Sequence, residues 1–218
     1  MFFMSEVATP ENSASPDADA SPHLTPGRKR PKPGERRIQI LQTLASMLEQ
    51  PGSERVTTAA LAGKLDVSEA ALYRHFASKA QMFEGLIEFI ETSVFSLVNQ
   101  IAEREQNPSA RLGKTMAMVL QFGEKNPGMC RVMTGDALVF EHERLQERMN
   151  QLFDKLEASF KQSLRDLVSG SATPTVSAQA QASVLTAFCM GRLQRYARSG
   201  FKRSPTEHLD MSLAQLLG

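Results

Sequence analysis

Between residues 57 and 79 the chain sets Thr57, Thr58, Ser68, Tyr73, Arg74 and Lys79 as candidate DNA-binding groups, and the phenol, guanidinium and ammonium of the last three suit donation to phosphate oxygens. Such groups hold a protein in register on a nucleic-acid backbone without reading its sequence. Glu69, Ala70 and Ala71 stand among them. Small residues at the start of a helix let it sink into the major groove of DNA, where its first residues meet base edges. The same pattern fits an ordinary helical hairpin with a solvated polar face, and spacing alone leaves both readings open.

Local signals must position these groups. Thr57 or Thr58 can cap a short helix that ends near residue 64. Asp66 tolerates a left-handed corner. Ser68 caps a second helix, SEAALYRHF, whose Leu72 and Phe76 face Leu61 and Leu65 of the first. Ala62 and Gly63 are small enough to let the two helices approach. This is the arrangement of a helix-turn-helix. Ser78-Lys79-Ala80-Gln81 is a capping box that opens the next helix and sets Lys79 beside free backbone N–H groups, a second place for a phosphate.

Other chemistry is sparse. His142 lies in the triplet EHE, and His23, His75 and His208 are scattered. None has the spacing of a metal site. Glu141 and Glu143 are two apart and face different ways on a helix. The chain has no glycine-rich phosphate loop and no nucleophile elbow, so an enzyme is not expected. Cys130 and Cys189 sit in apolar helical segments, which suits core packing in a reducing compartment. Met116, Met118, Met129 and Met133 could line a ligand pocket; at helical spacing they are expected to be core.

The 218 residues carry a net charge of only +1, so the overall balance points to no partner, and charge distribution matters instead. Residues 1–27 are rich in Ser, Pro, Ala and Asp, contain no Lys or Arg, and read as disordered. A basic run follows: Arg28, Lys29, Arg30, Lys32, Arg36 and Arg37. It can follow DNA phosphates or a minor groove, or simply keep the tail soluble. Apolar runs are too short for a membrane span.

The rest is helical by period. Ile38, Leu41, Ala45 and Leu48 form the stripe of a first helix, stopped by Pro51-Gly52. From residue 78 to about 104, Phe83, Leu86, Ile87, Ile90, Val94, Leu97, Val98 and Ile101 form one long stripe. Phe89 lies off it. Base rates favour its packing against the first helix, with a partner anchor as the other reading. Helices are expected at 110–125 and 127–134. The longest, spanning 136–169, is charged on one side and resembles a coiled coil, though a bundle helix is expected. Another spans 177–199 after the SGSATPT loop, and a last one is capped by Ser204-Pro205-Thr206-Glu207. One reading head covers half a site, so a homodimer through residues 177–217 is expected.

SEAALYRHFASKAQMF resembles the recognition helix and following helix start of TetR-family regulators, through Ser68, Leu72, Tyr73, His75, Phe76 and Lys79. Asp66 departs from the glycine more usual at that corner. A narrower resemblance runs from about Gly34 to the end, through GERRIQILQTLASMLEQ, SERVTTAALAGKLDVSEAALYRHF, LIEFIE, FGEKNPG and FKRSPT. It is to the nucleoid occlusion factors of proteobacteria. What these resemblances imply is an all-α, TetR-like fold: an N-terminal three-helix helix-turn-helix head and a C-terminal helical dimerisation bundle. The expected division is an arm over 1–33, a head over 34–80 and a body over 81–218. The narrower resemblance implies a cytoplasmic, nucleoid-associated homodimer on palindromic double-stranded DNA. When DNA-bound, such a protein engages the division GTPase FtsZ and opposes Z-ring assembly, with no catalysis, cofactor or small-molecule ligand. It places the partner surface near the head–body junction, at Phe89, Lys125 and Asn126. The alternative is a ligand-responsive repressor, which would need an enclosed polar and aromatic pocket in the body.

Overall fold

The computed structural model describes residues 34–50, 55–167 and 174–217. The acidic arm, the basic residues Arg28 to Lys32, the Pro51-Gly52 stop and most of the SGSATPT loop lie outside the described residues. Those described fold into α1 (Glu35–Leu48), α2 (Thr58–Lys64), α3 (Glu69–Tyr73), α4 (Lys79–Arg104), α5 (Pro108–Lys125), α6 (Pro127–Met133), α7 (Glu143–Leu167), α8 (Pro174–Arg198) and α9 (Leu209–Leu217). α1 packs on α2 and on α4, and α2 on α3, as a head, while α5, α7 and α8 pack on one another as the body. α4 belongs to both. Its Met82, Phe83, Leu86 and Ile87 are buried at the head end, and Ile90, Val94 and Val98 further on. Each fully buried side chain of this kind contributes about 1.5–3 kcal/mol, so one continuous stripe holds the two halves together.

Two predicted stripes shift. In α1 the fully buried row is Ile40, Leu44 and Leu48, and Ile38 is 58% exposed. Leu41 and Ala45 pack at the edge of the core. α1 carries two apolar rows, and contacts with α2, α4 and α6 together decide which one is central. On α4, Leu97 is exposed as well, and Phe89 is 46% exposed, so about half of its side chain meets solvent.

The long helix expected from residue 136 starts later, and α4 is longer than it. Gly135, at φ 80°, ends α6, and Asp136–Leu138 make a single 3-10 turn that buries Ala137 and Leu138. Val139 and Phe140 are then left exposed, and His142 opens α7 by accepting from Arg144 N–H at Nδ1. Leu138 and Leu145 are seven residues apart, two helical turns, so periodicity does not register the interruption. The final helix is also delayed. Instead of capping it, Ser204 donates to the Glu124 carboxylate, as does Thr206 at 2.8 Å, and Tyr196 donates to the Glu124 carbonyl at 3.1 Å. These bonds tie the 204–206 corner to the end of α5, and α9 begins only after His208, at φ 52°.

The methionines of the body belong to its core. Met116 and Met133 are buried core residues, and Met118 and Met129 pack against the same cluster. Cys130 and Cys189 are buried thiols, and burial pushes both up to about 12. At pH 8 only about one in ten thousand of each would be thiolate, the reactive form. Ellman's reagent is therefore expected to leave both unlabelled in the native protein and to label both in denaturant. Rapid labelling of the native protein would contradict this packing.

Candidate nucleic-acid interface

The reading hairpin is built from local hydrogen bonds. Thr57 Oγ1 accepts from Ala60 N–H at 3.1 Å and starts α2 one residue later. α2 ends in a two-bond lock: Val67 N–H donates to the Ala62 carbonyl at 3.0 Å and Asp66 N–H to that of Gly63 at 3.1 Å. That pairing requires a left-handed residue between, and Asp66 supplies it at φ 53°. Ser68 Oγ then accepts from Ala71 N–H at 3.3 Å and opens α3. Leu72 and Phe76 are buried against Leu61 and Leu65, as their spacing requires. Gly63 is exposed and an added Cβ would meet nothing, so its smallness does not serve helix approach; buried Ala62 does.

α3 presents Glu69, Ala70, Tyr73 and Arg74 to solvent, with Ala71 half-buried. Tyr73 is 45% exposed. Ser68 and Thr57 are exposed at the two helix starts, and Thr58 is half-buried. Thr58 Oγ1 donates to Glu69 Oε2 at 2.5 Å, so the beginnings of α2 and α3 are joined side chain to side chain. The next helix has its cap as well: Ser78 Oγ accepts from Gln81 N–H at 3.2 Å, and Gln81 Oε1 reaches back to Ala77 N–H at 2.8 Å.

Two cations differ from their expected surroundings. Lys79 does not stand free beside the α4 terminus; its ammonium is paired with Glu141, whose side chain is only 9% exposed, and lies 5.7 Å from the Phe83 ring centroid. A phosphate at Lys79 would share it with Glu141. Arg37, read as part of the basic run, instead donates to the His75 carbonyl at 2.8 Å, with its guanidinium 4.0 Å from the Phe76 ring centroid. It braces the end of α3 from α1, a role that no sequence spacing signals, since the partners are 38 residues apart.

The junction residues are distinct in character. Phe89 is exposed on α4 and Lys125 is exposed at the end of α5. Asn126 is half-buried and its amide donates to the Phe122 carbonyl at 2.8 Å, finishing α5 at the step into α6.

Ion pairs run between α4 and the start of α7: Glu84 with Arg144 at 2.8 Å and Glu91 with Arg148 at 2.6 Å. The Glu91 contact holds the Arg148 guanidinium pKa above its usual value. Among the described residues, no cluster of three or more ligating side chains could hold a metal ion, and no helix is long and apolar enough to cross a membrane.

Comparison with known proteins agrees with this architecture. Residues 40–86 match the family described as bacterial regulatory proteins, tetR family, and residues 106–217 match the SlmA-like group described as tetracyclin repressor-like, C-terminal domain. The nucleoid occlusion factor SlmA of Marinomonas sp. (strain MWYL1) is 51% identical over 178 residues, covering 81% of this chain and 90% of that one. The protein of the same name from Salmonella dublin is 52% identical over 178 residues, covering 80% and 89%. A TetR-family transcriptional regulator from Bordetella parapertussis 12822 superimposes with a TM-score of 0.67 at 16% identity, over 84% of this chain and 95% of that one, a likeness of fold alone. With half its residues shared over four-fifths of its length, the chain belongs to the SlmA nucleoid occlusion factor family, a non-enzymatic group of TetR-fold, helix-turn-helix DNA-binding proteins that acts in cell division.

Proposed function

We propose that the protein is a homodimer that binds palindromic chromosomal sites through α2 and α3 and, when DNA-bound, engages FtsZ and restrains Z-ring assembly over the nucleoid. The reading of α3 rests on Glu69, Ala70, Tyr73 and Arg74 standing exposed beside two capped helix starts. The homodimer is supported by α8, which leaves Val176, Ala180, Val184, Ala187 and Gly191 exposed along one side. Small apolar residues at that spacing suit a close helix pair across a two-fold axis.

The single observation that supports a partner surface on this helix is Phe89, and FtsZ as the partner rests on membership of the SlmA family. A large aromatic, 46% exposed in the middle of a helix that joins head to body, has the character of a binding anchor. Lys125 and Asn126, at the end of the neighbouring α5, complete the proposed surface. The receptor alternative draws no support from Met116 and Met133, which are packed in the core.

The test is binding of purified FtsZ to the protein with and without its specific DNA. Binding stimulated by DNA is expected, and equal or absent binding in both conditions would overturn the reading. Phe89→Ala is expected to weaken FtsZ binding at least about tenfold, as truncating an anchor does. Its Tm and DNA affinity should stay unchanged, because the lost ring is half in solvent. A large fall in Tm would show that Phe89 is a packing residue.

A further inference from the structure

The contact between Thr58 and Glu69 lies on the proposed DNA-facing surface. A carboxylate there repels phosphates and lowers affinity for DNA in general. α3 does not need it as a cap, because Ser68 already holds that place. One oxygen, Oε2, takes the Thr58 hydroxyl at 2.5 Å. Among the described residues, no donor meets the other, Oε1, and Glu69 is exposed. One anchored oxygen limits rotation of the carboxylate and leaves the second as an aimed acceptor.

We propose that Glu69 is a specificity-determining residue whose Oε1 accepts from the exocyclic N4 amine of a cytosine in the major groove. The choice of base follows from the donor pattern of the groove. Guanine shows N7 and O6, and thymine O4, all acceptors that a carboxylate repels. Adenine offers an N6 donor, but its N7 acceptor lies beside it. Cytosine offers the N4 donor with no acceptor on the same base. The carboxylate thus gives up general affinity in exchange for rejecting the wrong bases, a common way of building selectivity. This deepens the proposed role of α3 as the reading helix and rests on it.

The experiment is selection from a random duplex library by the full chain, followed by affinity measurements on the selected site, on its single-base variants and on an unrelated duplex at fixed salt. Wild type, Glu69→Gln, Glu69→Ala and Thr58→Val are compared. The glutamine variant keeps an oxygen for Thr58, so the corner stays braced. Wild type is expected to prefer cytosine at one position of each half-site by about 5- to 150-fold. Both Glu69 variants should lose that preference alone and bind the unrelated duplex more tightly. Thr58→Val should soften the same preference. If the Glu69 variants keep every base preference, or lose affinity equally for all sequences, Glu69 is only a brace and the proposal is overturned. If wild type itself enriches no sequence, the assignment of α3 as the reading helix fails, and this inference fails with it.

Discussion

Gly128→Ala is expected to destabilise the protein by about 3 kcal/mol, the upper end for an overpacked site. Gly128 is buried in α6, directly against α1. A Cβ there would overlap the Ala45 carbonyl oxygen and lie 3.0 Å from the Ala45 carbonyl carbon and 3.3 Å from Glu49 Cγ. The obstacle is backbone held inside a helix, so no rotamer change relieves it and α1 and α6 must separate. Arg131 works at the same joint: it donates to the Gln50 carbonyl at 3.3 Å and stacks 5.0 Å from the Phe201 ring centroid. In a chain of this size the loss corresponds to a fall in Tm of about 6–12 °C, measurable by circular dichroism. Gly63→Ala is the control. It meets nothing and sits inside α2, where alanine is the better helix former by about 0.5–1 kcal/mol, so Tm should hold or rise slightly. Equal Tm values for wild type and Gly128→Ala would show that α1 and α6 are not in backbone contact.

The second large effect concerns DNA. Tyr73→Ala combined with Lys79→Ala is expected to lower affinity by about 100- to 1,000-fold, at about 1 kcal/mol for each phosphate hydrogen bond removed from the two heads of the proposed dimer. The two residues should separate in a salt titration. Tyr73 is neutral and exposed, so its loss should lower affinity at every salt concentration without changing the slope. Lys79 carries a charge, and its loss should reduce the slope by about 0.9 for each head that contacts phosphate. Its pairing with Glu141 adds a further check. Glu141→Gln frees the ammonium without removing it, so general DNA affinity should rise and the slope should steepen. A slope that responds to neither substitution would show that Lys79 serves only to join α4 to the segment before α7.

Much of this was legible from the chain because it is made locally. The caps at Thr57, Ser68 and Ser78 act on N–H groups three residues ahead, and the corner at Asp66 depends on one residue's tolerance of positive φ. The stripe of α4 repeats often enough for period to identify its buried face. Where two rows compete, as at Ile38 and Ile40, period names both and burial selects one. Across the 136–142 turn, a seven-residue gap preserves helical phase and conceals a break. Ser204 has the sequence of a cap, but the carboxylate of Glu124, 80 residues earlier, takes its hydroxyl instead.

Residue order was enough to establish an all-helical chain with a helix-turn-helix near its start and a long amphipathic helix leading into a second helical region. Those features follow from bonds and apolar spacings within a few residues. The packing of helix on helix was needed to show that Phe89 is exposed, that Arg37 braces α3, that Lys79 is shared with Glu141 and that Thr58 anchors Glu69. These depend on partners between 11 and 62 residues apart, or on which helix face meets another. Such a pairing leaves no mark at a fixed interval, because the separation is set by the path of the folded chain and not by the turn of any one helix.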